Sequence, residues 1–192
     1  MTEQEACRRQ RARFERLAHV VAEPLHRYLL RRAHPDLVED LLSETMLVLW
    51  RRLDDVPGLG ADDTPRADDV LPWCYGVARG CLSNARRAEG RRLRLVERLI
   101  RTQEPPPSTG PDEHSELHAA LGALGPLDRE VVRLWAWEEL APHQIAEATG
   151  LSANAVSIRL HRAKKKLAER LRRGRKNGER AGHRTGEGRS SQ

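Results

Sequence analysis

Apolar residues recur at helical spacing along most of this chain, and no segment alternates apolar and polar positions as a strand would. The first half predicts three amphipathic helices. The first runs from about Phe14 to near His34, the second begins around Asp36, and the third runs from Trp73 towards Arg92. The pattern therefore predicts an all-α fold.

The same spacing predicts which positions of each helix face inward. On the second helix the inward positions are Val38, Leu41, Leu42, Thr45, Leu49 and Leu53, and on the third they are Trp73, Val77, Cys81 and Leu82. The intervening stretch 57–72 carries glycine, prolines and several aspartates, which predicts a loop.

Residues 142–160 predict a short helix, a glycine turn and a second helix. Pro142 suits the first turn of a helix, and Gly150 can adopt the left-handed conformation that ends one. Ser152 can then cap the next helix. The inward positions of that helix are Val156, Leu160, Ala163 and Leu167. A helix-turn-helix places its second helix in the DNA major groove, although two short helices joined by a turn can also be a plain hairpin.

The proline-rich segment 105–111 divides the chain, because it cannot continue a helix. We expect two small helical bundles, the first in residues 1–100 and the second in residues 113–171, with a Pro-rich linker over 101–112. Residues 172–192 contain Arg, Gly and Ser with few apolar residues, which predicts a basic disordered tail.

Charge and cysteine usage narrow the possible partners. The 34 Lys and Arg residues against 28 Asp and Glu give a net charge of +6, which favours a polyanionic partner such as DNA. The three cysteines, Cys7, Cys74 and Cys81, are widely spread, and no leader segment is recognisable, so a reducing cytoplasm is expected. No apolar run is long enough for membrane insertion. The histidines have no metal-ligand spacing, and no cofactor is expected.

Two helix faces in the first half have the composition of binding surfaces. The outer side of the second helix has an acidic rim around an apolar centre, which suits docking on another protein but also occurs on ordinary solvated helices. The third helix combines Trp73 with Arg79, Asn84, Arg86 and Arg87. Aromatic rings beside arginines can stack on unpaired bases and neutralise phosphates. The alternative to a base-stacking role is that Trp73 is an ordinary core residue.

Taken together, these segments resemble the extracytoplasmic-function (ECF) RNA polymerase sigma factors of the sigma-70 family. Four blocks carry the resemblance, in residues 39–51 (EDLLSETMLVLWR), 73–79 (WCYGVAR), 121–132 (LGALGPLDREVV) and 145–163. They are similar, in order, to the polymerase-docking helix, the opening of the promoter-melting helix, the start of the second domain and the helix-turn-helix.

The resemblance implies a non-enzymatic factor that binds core RNA polymerase and directs promoter-specific transcription initiation. Docking on the clamp helices of the largest polymerase subunit would use Asp40, Leu41, Ser43, Glu44 and Leu47. The minus-ten strand would contact Trp73, Arg79, Asn84, Arg86 and Arg87. The minus-thirty-five duplex would contact Asn154, Ser157, Arg159 and Arg162. An anti-sigma factor is a further candidate partner.

Two other classes compete with this interpretation. A one-component helix-turn-helix regulator could share the second half but would need a ligand pocket or dimer face in the first. An enzyme acting on nucleic acid would need a metal or acid–base cluster. Its only candidates are the loop aspartates Asp62, Asp63, Asp68 and Asp69, which have no His or Lys partners nearby in the sequence.

Overall fold

Regular structure in the described part of the chain is entirely helical, which confirms the predicted class. A computed structural model describes residues 2–60, 64–99 and 115–183. The helices are α1 (Glu3–Leu30), α2 (Val38–Arg51), α3 (Ala67–Leu99), α4 (Ser115–Gly122), α5 (Pro126–Ala136), α6 (Pro142–Thr149) and α7 (Ala153–His183). Short 3-10 turns at Pro35–Leu37 and Leu53–Asp55 flank α2. The predicted linker, 101–112, lies outside the described residues.

The helices cluster into two units. The first contains α1, α2, α3 and the segment His143–Leu151, which includes most of α6, whereas the second contains α4, α5 and α7. Two units agree with the expected number of bundles, but α6 clusters with the first and not with the rest of the predicted range 113–171. Within the first unit, the Gln144 side-chain amide of α6 donates to the Asp68 carbonyl oxygen of α3 at 3.0 Å.

The first unit is a bundle in which α1, α2 and α3 all contact one another. Leu17, Val21, Leu25 and Leu29 form a fully buried stripe at four-residue spacing along α1. Burying a leucine contributes about 1.5–3 kcal/mol, so this stripe is a large part of the core. The Tyr28 and Tyr75 rings pack with centroids 5.2 Å apart and join α1 to α3.

Both α1 and α3 begin earlier than the sequence pattern predicts. The Thr2 hydroxyl accepts a hydrogen bond from the Glu5 N–H, and the Glu5 carboxylate accepts from the Thr2 N–H. This capping box starts α1 eleven residues before Phe14. Helix α3 starts at Ala67 and carries Pro72 inside it, so the predicted loop ends before Pro72.

The second unit is held by contacts of α7 with α4 and α5. Its core includes Val131, Leu134, Val156 and Ala163, each fully buried. The Arg129 guanidinium donates to three carbonyl oxygens at the end of α4, those of Leu121 (2.9 Å), Gly122 (2.5 Å) and Leu124 (3.1 Å). Arg129 therefore satisfies carbonyls that the end of a helix leaves without partners.

Helix α7 continues to His183, so residues 172–183 are helical where the composition predicts disorder. Straight-chain Arg, Lys and Glu residues have favourable helix propensities, and a helix already nucleated by buried residues extends at low cost. The rest of the predicted tail, 184–192, lies outside the described residues.

Candidate functional site

The outer face of α2 presents an acidic stripe with an apolar residue at each end. Asp40, Ser43, Glu44 and Leu47 are all exposed and follow the spacing i, i+3, i+4, i+7. Leu37 extends the stripe by one turn at the start of α2. Both Leu37 and Leu47 are 48% exposed, a high value for leucine. Sequence reasoning missed Leu37, although its spacing from Asp40 gave the signal.

Leu41 does not belong to this stripe. Its side chain is 3% exposed and shares the inward face of α2 with Val38, Thr45 and Leu49. The Thr45 hydroxyl, also buried, donates to the Leu41 carbonyl oxygen at 2.6 Å. Leu41 is therefore part of the core and does not share the exposed face of Asp40, Ser43 and Glu44.

On α3 the buried stripe is Val70, Cys74, Ala78 and Cys81, not the predicted Trp73 and Val77. Because the observed buried stripe differs in helical phase from the predicted one, Trp73 lies outside the core, on the same side of α3 as Asn84. Small residues in the true stripe carry little hydrophobic signal, which explains the wrong phase. Cys81 and Leu82 are buried as predicted.

Trp73, Arg79 and Asn84 line a groove of about 450 Å³ between α2 and α3, which α6 also borders. At the C-terminal cap of α2, the Arg52 guanidinium lies over the Trp73 ring, 5.0 Å from its centroid. The Trp73 ring is partly exposed. A partly exposed indole beside the Arg52 guanidinium, with Arg79 lining the same groove, can stack a base and neutralise its phosphate. Arg52 is an addition to the predicted set.

Arg86 and Arg87 are tied to neighbouring groups. Arg86 donates to the Arg32 carbonyl oxygen at 2.6 Å and so anchors the segment that follows α1 to α3. Arg87 donates to the Asn84 side-chain oxygen at 2.6 Å and to the Ser83 carbonyl oxygen at 3.3 Å. The structure thus brings three of the five predicted minus-ten residues to the groove, and Arg86 acts as a structural donor.

The turn between α6 and α7 has the predicted geometry. Pro142 is the first residue of α6, and Gly150 has φ 73°. The Gly150 N–H donates to the Ala146 carbonyl oxygen at 2.8 Å, and the Ser152 hydroxyl accepts from the Ala155 N–H at 3.2 Å. A left-handed residue ends α6 and a serine caps α7, so the helix–turn–helix order of elements is confirmed.

The start of α7 presents a polar and basic outer face. Val156, Leu160 and Ala163 are buried. The exposed residues of this face are Asn154, Ser157, Ile158, His161, Arg162 and Lys165. Three of the four predicted minus-thirty-five residues, Asn154, Ser157 and Arg162, are therefore exposed on one side of α7.

Arg159, the fourth, has a different role. Its Nη1 lies 2.8 Å from the Asp128 carboxylate and joins α7 to α5. The Asp128 side chain is only 24% exposed. One guanidinium nitrogen of Arg159 is thus engaged within the second unit and joins α7 to α5, while the side chain stays 42% exposed. Its contact with the minus-thirty-five duplex stays a prediction.

Comparison with known proteins decides the family. Residues 114–167 match the family model "Sigma-70, region 4". The chain is 34% identical over 150 residues to an RNA polymerase sigma-E factor of Streptomyces avermitilis, a match that covers 73% of this chain and 75% of that protein. It is 31% identical over 153 residues to the ECF RNA polymerase sigma factor SigF of Caulobacter vibrioides, covering 78% and 80%.

The chain belongs to the ECF sigma factor family. Solved structures show the same fold at low identity. The sigma factor RpoE from Bartonella quintana, in complex with the anti-sigma factor NepR, matches with a TM-score of 0.61 and 19% identity, covering 83% of this sigma factor and 96% of that chain. CnrH, in complex with the cytosolic domain of CnrY, matches with a TM-score of 0.51 and 21% identity, covering 82% and 86%.

Within the described ranges, no three His, Cys, Asp or Glu side chains are placed to hold a metal ion. The three cysteines are free thiols, and burial together with the Glu147 charge raises the pKa of Cys74 to about 12. A helix long and apolar enough to cross a membrane is not found among the residues described.

Proposed function

We propose that this protein binds core RNA polymerase and directs promoter-specific initiation of transcription, with the docking and DNA-binding surfaces on separate elements. The single observation that carries the proposal is the pairing, in one chain of the ECF family, of the acidic–apolar stripe on α2 with the basic outer face of α7. A one-component regulator has no use for the first of these surfaces.

The α2 stripe would dock on the clamp helices of the largest polymerase subunit. Leu37 and Leu47 would bury apolar area, while Asp40 and Glu44 would set orientation by pairing with basic residues. Charges at the rim of such an interface mainly affect the association rate and its salt dependence. This division of roles makes charge reversal a sharp test.

The groove beside Trp73 would hold the unpaired non-template strand of the minus-ten element. Flipping a base costs a few kcal/mol, which stacking on the Trp73 ring and contacts to Arg79 and Arg52 can offset. The exposed Asn154, Ser157 and Arg162 would contact the minus-thirty-five duplex, where Arg162 can pair bidentately with a guanine edge.

The compartment and further partners follow from this role. A sigma factor works where core polymerase is found, so the cytoplasm is the proposed location, and catalysis is left to the polymerase. An anti-sigma factor is a further proposed partner, since the RpoE of Bartonella quintana is seen in complex with one.

The test is run-off transcription with purified core polymerase on promoters from the host genome, with and without this protein. The double variant Asp40→Arg and Glu44→Arg should lose core binding and transcripts by at least about tenfold, because two favourable pairs become repulsive. The matched control reverses Glu15 and Glu23, which are exposed on α1 and each pair with an arginine of their own helix.

Equal loss in the two double variants would show a general charge effect and would reject the α2 assignment. Full core binding by the Asp40/Glu44 variant would reject it as well. No transcript from any promoter with the unchanged protein would overturn the proposed function itself.

A further inference from the structure

A short 3-10 turn, anchored by buried residues, follows α2. Leu53 and Val56 are buried and fix the two sides of the turn. Between them, the Asp55 N–H donates to the Arg52 carbonyl oxygen at 2.9 Å. Arg52 is the C-terminal cap of α2, and its N–H donates to the Val48 carbonyl oxygen at 3.0 Å. The backbones of Arg52 and Asp55 are therefore fixed relative to each other and to α2.

This turn sets the Asp55 carboxylate against the side chain of Arg52. The Arg52 Nε donates to the Asp55 Oδ2 at 2.8 Å, and the guanidinium lies over the Trp73 ring of α3, 5.0 Å from its centroid. That separation is within the range of cation–π attraction. Because a guanidinium is a rigid planar group, a bond to its Nε limits the orientations in which it can lie over a ring. Carboxylate, guanidinium and indole thus form a chain of contacts that ends at the ring proposed to stack a base.

The Asp55 carboxylate is not explained by stability or by attraction of DNA. Both side chains of the Arg52–Asp55 pair are about half exposed, and an exposed ion pair contributes little to folding. A negative charge beside Arg52 opposes the approach of phosphates, so electrostatics alone predicts that its loss strengthens strand binding. The residues that line the groove include Arg52 and Trp73 but not Asp55. Any benefit of Asp55 to strand recognition therefore has to come through the orientation of Arg52.

We propose that Asp55 is a positioning residue for strand recognition: it holds Arg52 over Trp73, so that the ring is ordered before the opened promoter strand arrives. A mobile indole stacks on any base, because every base has a π face. An ordered ring lowers the ordering cost of binding and favours the bases that fit its fixed position. This inference rests on the proposed function, since it concerns the same groove, and its tests separate the failure of one from the failure of the other.

The position of the ring is tested in the free protein by fluorine NMR, with the four tryptophans replaced by fluorotryptophan. A Trp73→Phe variant assigns the Trp73 resonance. Asp55→Ala and Arg52→Ala should each shift this resonance, because the guanidinium over the ring is reoriented in the first and removed in the second. An unchanged resonance in Asp55→Ala would refute the proposal.

The matched control for this measurement is Asp54→Ala. Asp54 is the neighbouring carboxylate of the same turn, but it pairs with Arg13 of α1 at 2.7 Å. Its removal changes the net charge by the same amount as Asp55→Ala and should leave the Trp73 resonance in place. An equal shift in the two aspartate variants would mean that charge, and not contact with Arg52, affects the ring, and would overturn the proposal.

The effect on recognition is measured by fluorescence anisotropy with two labelled single strands. One is the non-template minus-ten strand of a promoter that supports run-off transcription, and the other has the same composition in scrambled order. Asp55→Ala should lower the ratio of the two affinities roughly fivefold, the low end of what stacking of one base contributes. Asp55→Asn keeps an oxygen acceptor for the Arg52 Nε and should retain most of the ratio, and Asp54→Ala should retain all of it. Equal ratios in Asp54→Ala and Asp55→Ala would overturn the proposal.

A double-variant cycle tests whether Asp55 acts through Arg52. In an Arg52→Ala background, Asp55→Ala should change the ratio by less than about twofold, because the group through which it acts is gone. A full fivefold loss in that background would contradict positioning. If the Trp73 resonance shifts as expected but the unmodified protein binds both strands equally, the proposed function of the groove fails. The role of Asp55 in recognition then fails with it, while the ordering of the ring stands.

Discussion

Glu139 is held in the left-handed backbone conformation, with φ 56°, in the segment between α5 and α6. It is the one non-glycine residue with positive φ in the described part of the chain. The next residue, Leu140, is buried, and its N–H donates to the Leu134 carbonyl oxygen at 3.1 Å. The surrounding contacts therefore fix a conformation that a residue with a Cβ adopts only at a cost.

Glu139→Gly should stabilise the protein by about 0.5–1 kcal/mol, because relief of the left-handed strain exceeds the entropy that glycine gains in the unfolded chain. Urea unfolding followed by circular dichroism measures the change. Glu138→Gly is the matched control, since residue 138 has no positive φ. That variant should be destabilised, and a gain of the same size in both would remove the conformational explanation.

The three cysteines should differ sharply in reactivity. Cys7 is exposed, whereas Cys74 is fully buried with a pKa raised to about 12, first by burial and then by the Glu147 charge. At pH 8 only about one Cys74 in ten thousand is then a thiolate, the reactive form. Burial also raises the pKa of Cys81.

Iodoacetamide at pH 8, followed by peptide mass mapping, should modify Cys7 first and leave Cys74 and Cys81 intact in the folded protein. All three should react in 6 M guanidinium chloride, which serves as the control for reagent access. Fast modification of Cys74 in the native state would contradict its burial.

At the scale of elements, two arginines on α7 have different roles, one in holding the helix in place and one in the proposed contact with DNA. Arg159 pairs with Asp128 and joins α7 to α5, while Arg162 is exposed on the outer face. Arg162→Ala should weaken binding to a minus-thirty-five duplex by about tenfold, consistent with loss of one base contact, without changing stability. Arg159→Ala should cost about 0.5–1 kcal/mol of unfolding free energy, the usual value for a partly exposed ion pair.

Fluorescence anisotropy with duplex DNA and urea unfolding of both variants give the two readouts. Asp128→Ala should reproduce the stability loss of Arg159→Ala, since it removes the same pair from the other side. A tenfold loss of DNA affinity in Asp128→Ala would show that the pair itself, and not Arg162, controls recognition.

The helix-turn-helix could be predicted from the sequence because its signals are local. Pro142, Gly150 and Ser152 each act on the backbone within a few residues, and each has the expected role. The α2 core was similarly predictable, since Val38, Leu41 and Leu49 are large apolar residues at helical spacing. The family resemblance nevertheless places Leu41 in the docking set, because the family motif includes it without distinguishing core from surface.

The start and phase of α3 could not be predicted, because the features that fix them are remote or weak in the sequence. In the sequence, Pro72 indicates the end of a loop. In the fold it lies inside α3, and the Asp68 carbonyl oxygen that it leaves without a helical donor accepts from Gln144, more than seventy residues later. The buried stripe depends on Cys74 and Ala78, which contribute little hydrophobic signal. The engagement of Arg159 with Asp128 likewise needs coordinates.

At the scale of the whole molecule, charge is distributed unevenly between binding surfaces. The net charge is +6, yet the α2 stripe is acidic and exposed lysines and arginines crowd α7 from Arg162 onwards. Lys164 lies over the Trp135 ring at 3.7 Å, so it is partly engaged, whereas Lys165 is exposed. Affinity for duplex DNA should therefore depend on salt through a few positions on α7 and not through the total charge.

Lys165→Ala should lower the slope of log K against log salt concentration by about 0.9, the value for one phosphate contact on duplex DNA. Arg8→Ala removes the same charge from an exposed position on α1 and should leave the slope unchanged. Both slopes are measured by anisotropy with a minus-thirty-five duplex over a series of KCl concentrations.

Equal reductions in the two variants would mean that net charge governs binding. An unchanged slope in Lys165→Ala would mean that this lysine does not contact the phosphate backbone, because releasing one condensed counterion has to appear in the salt dependence.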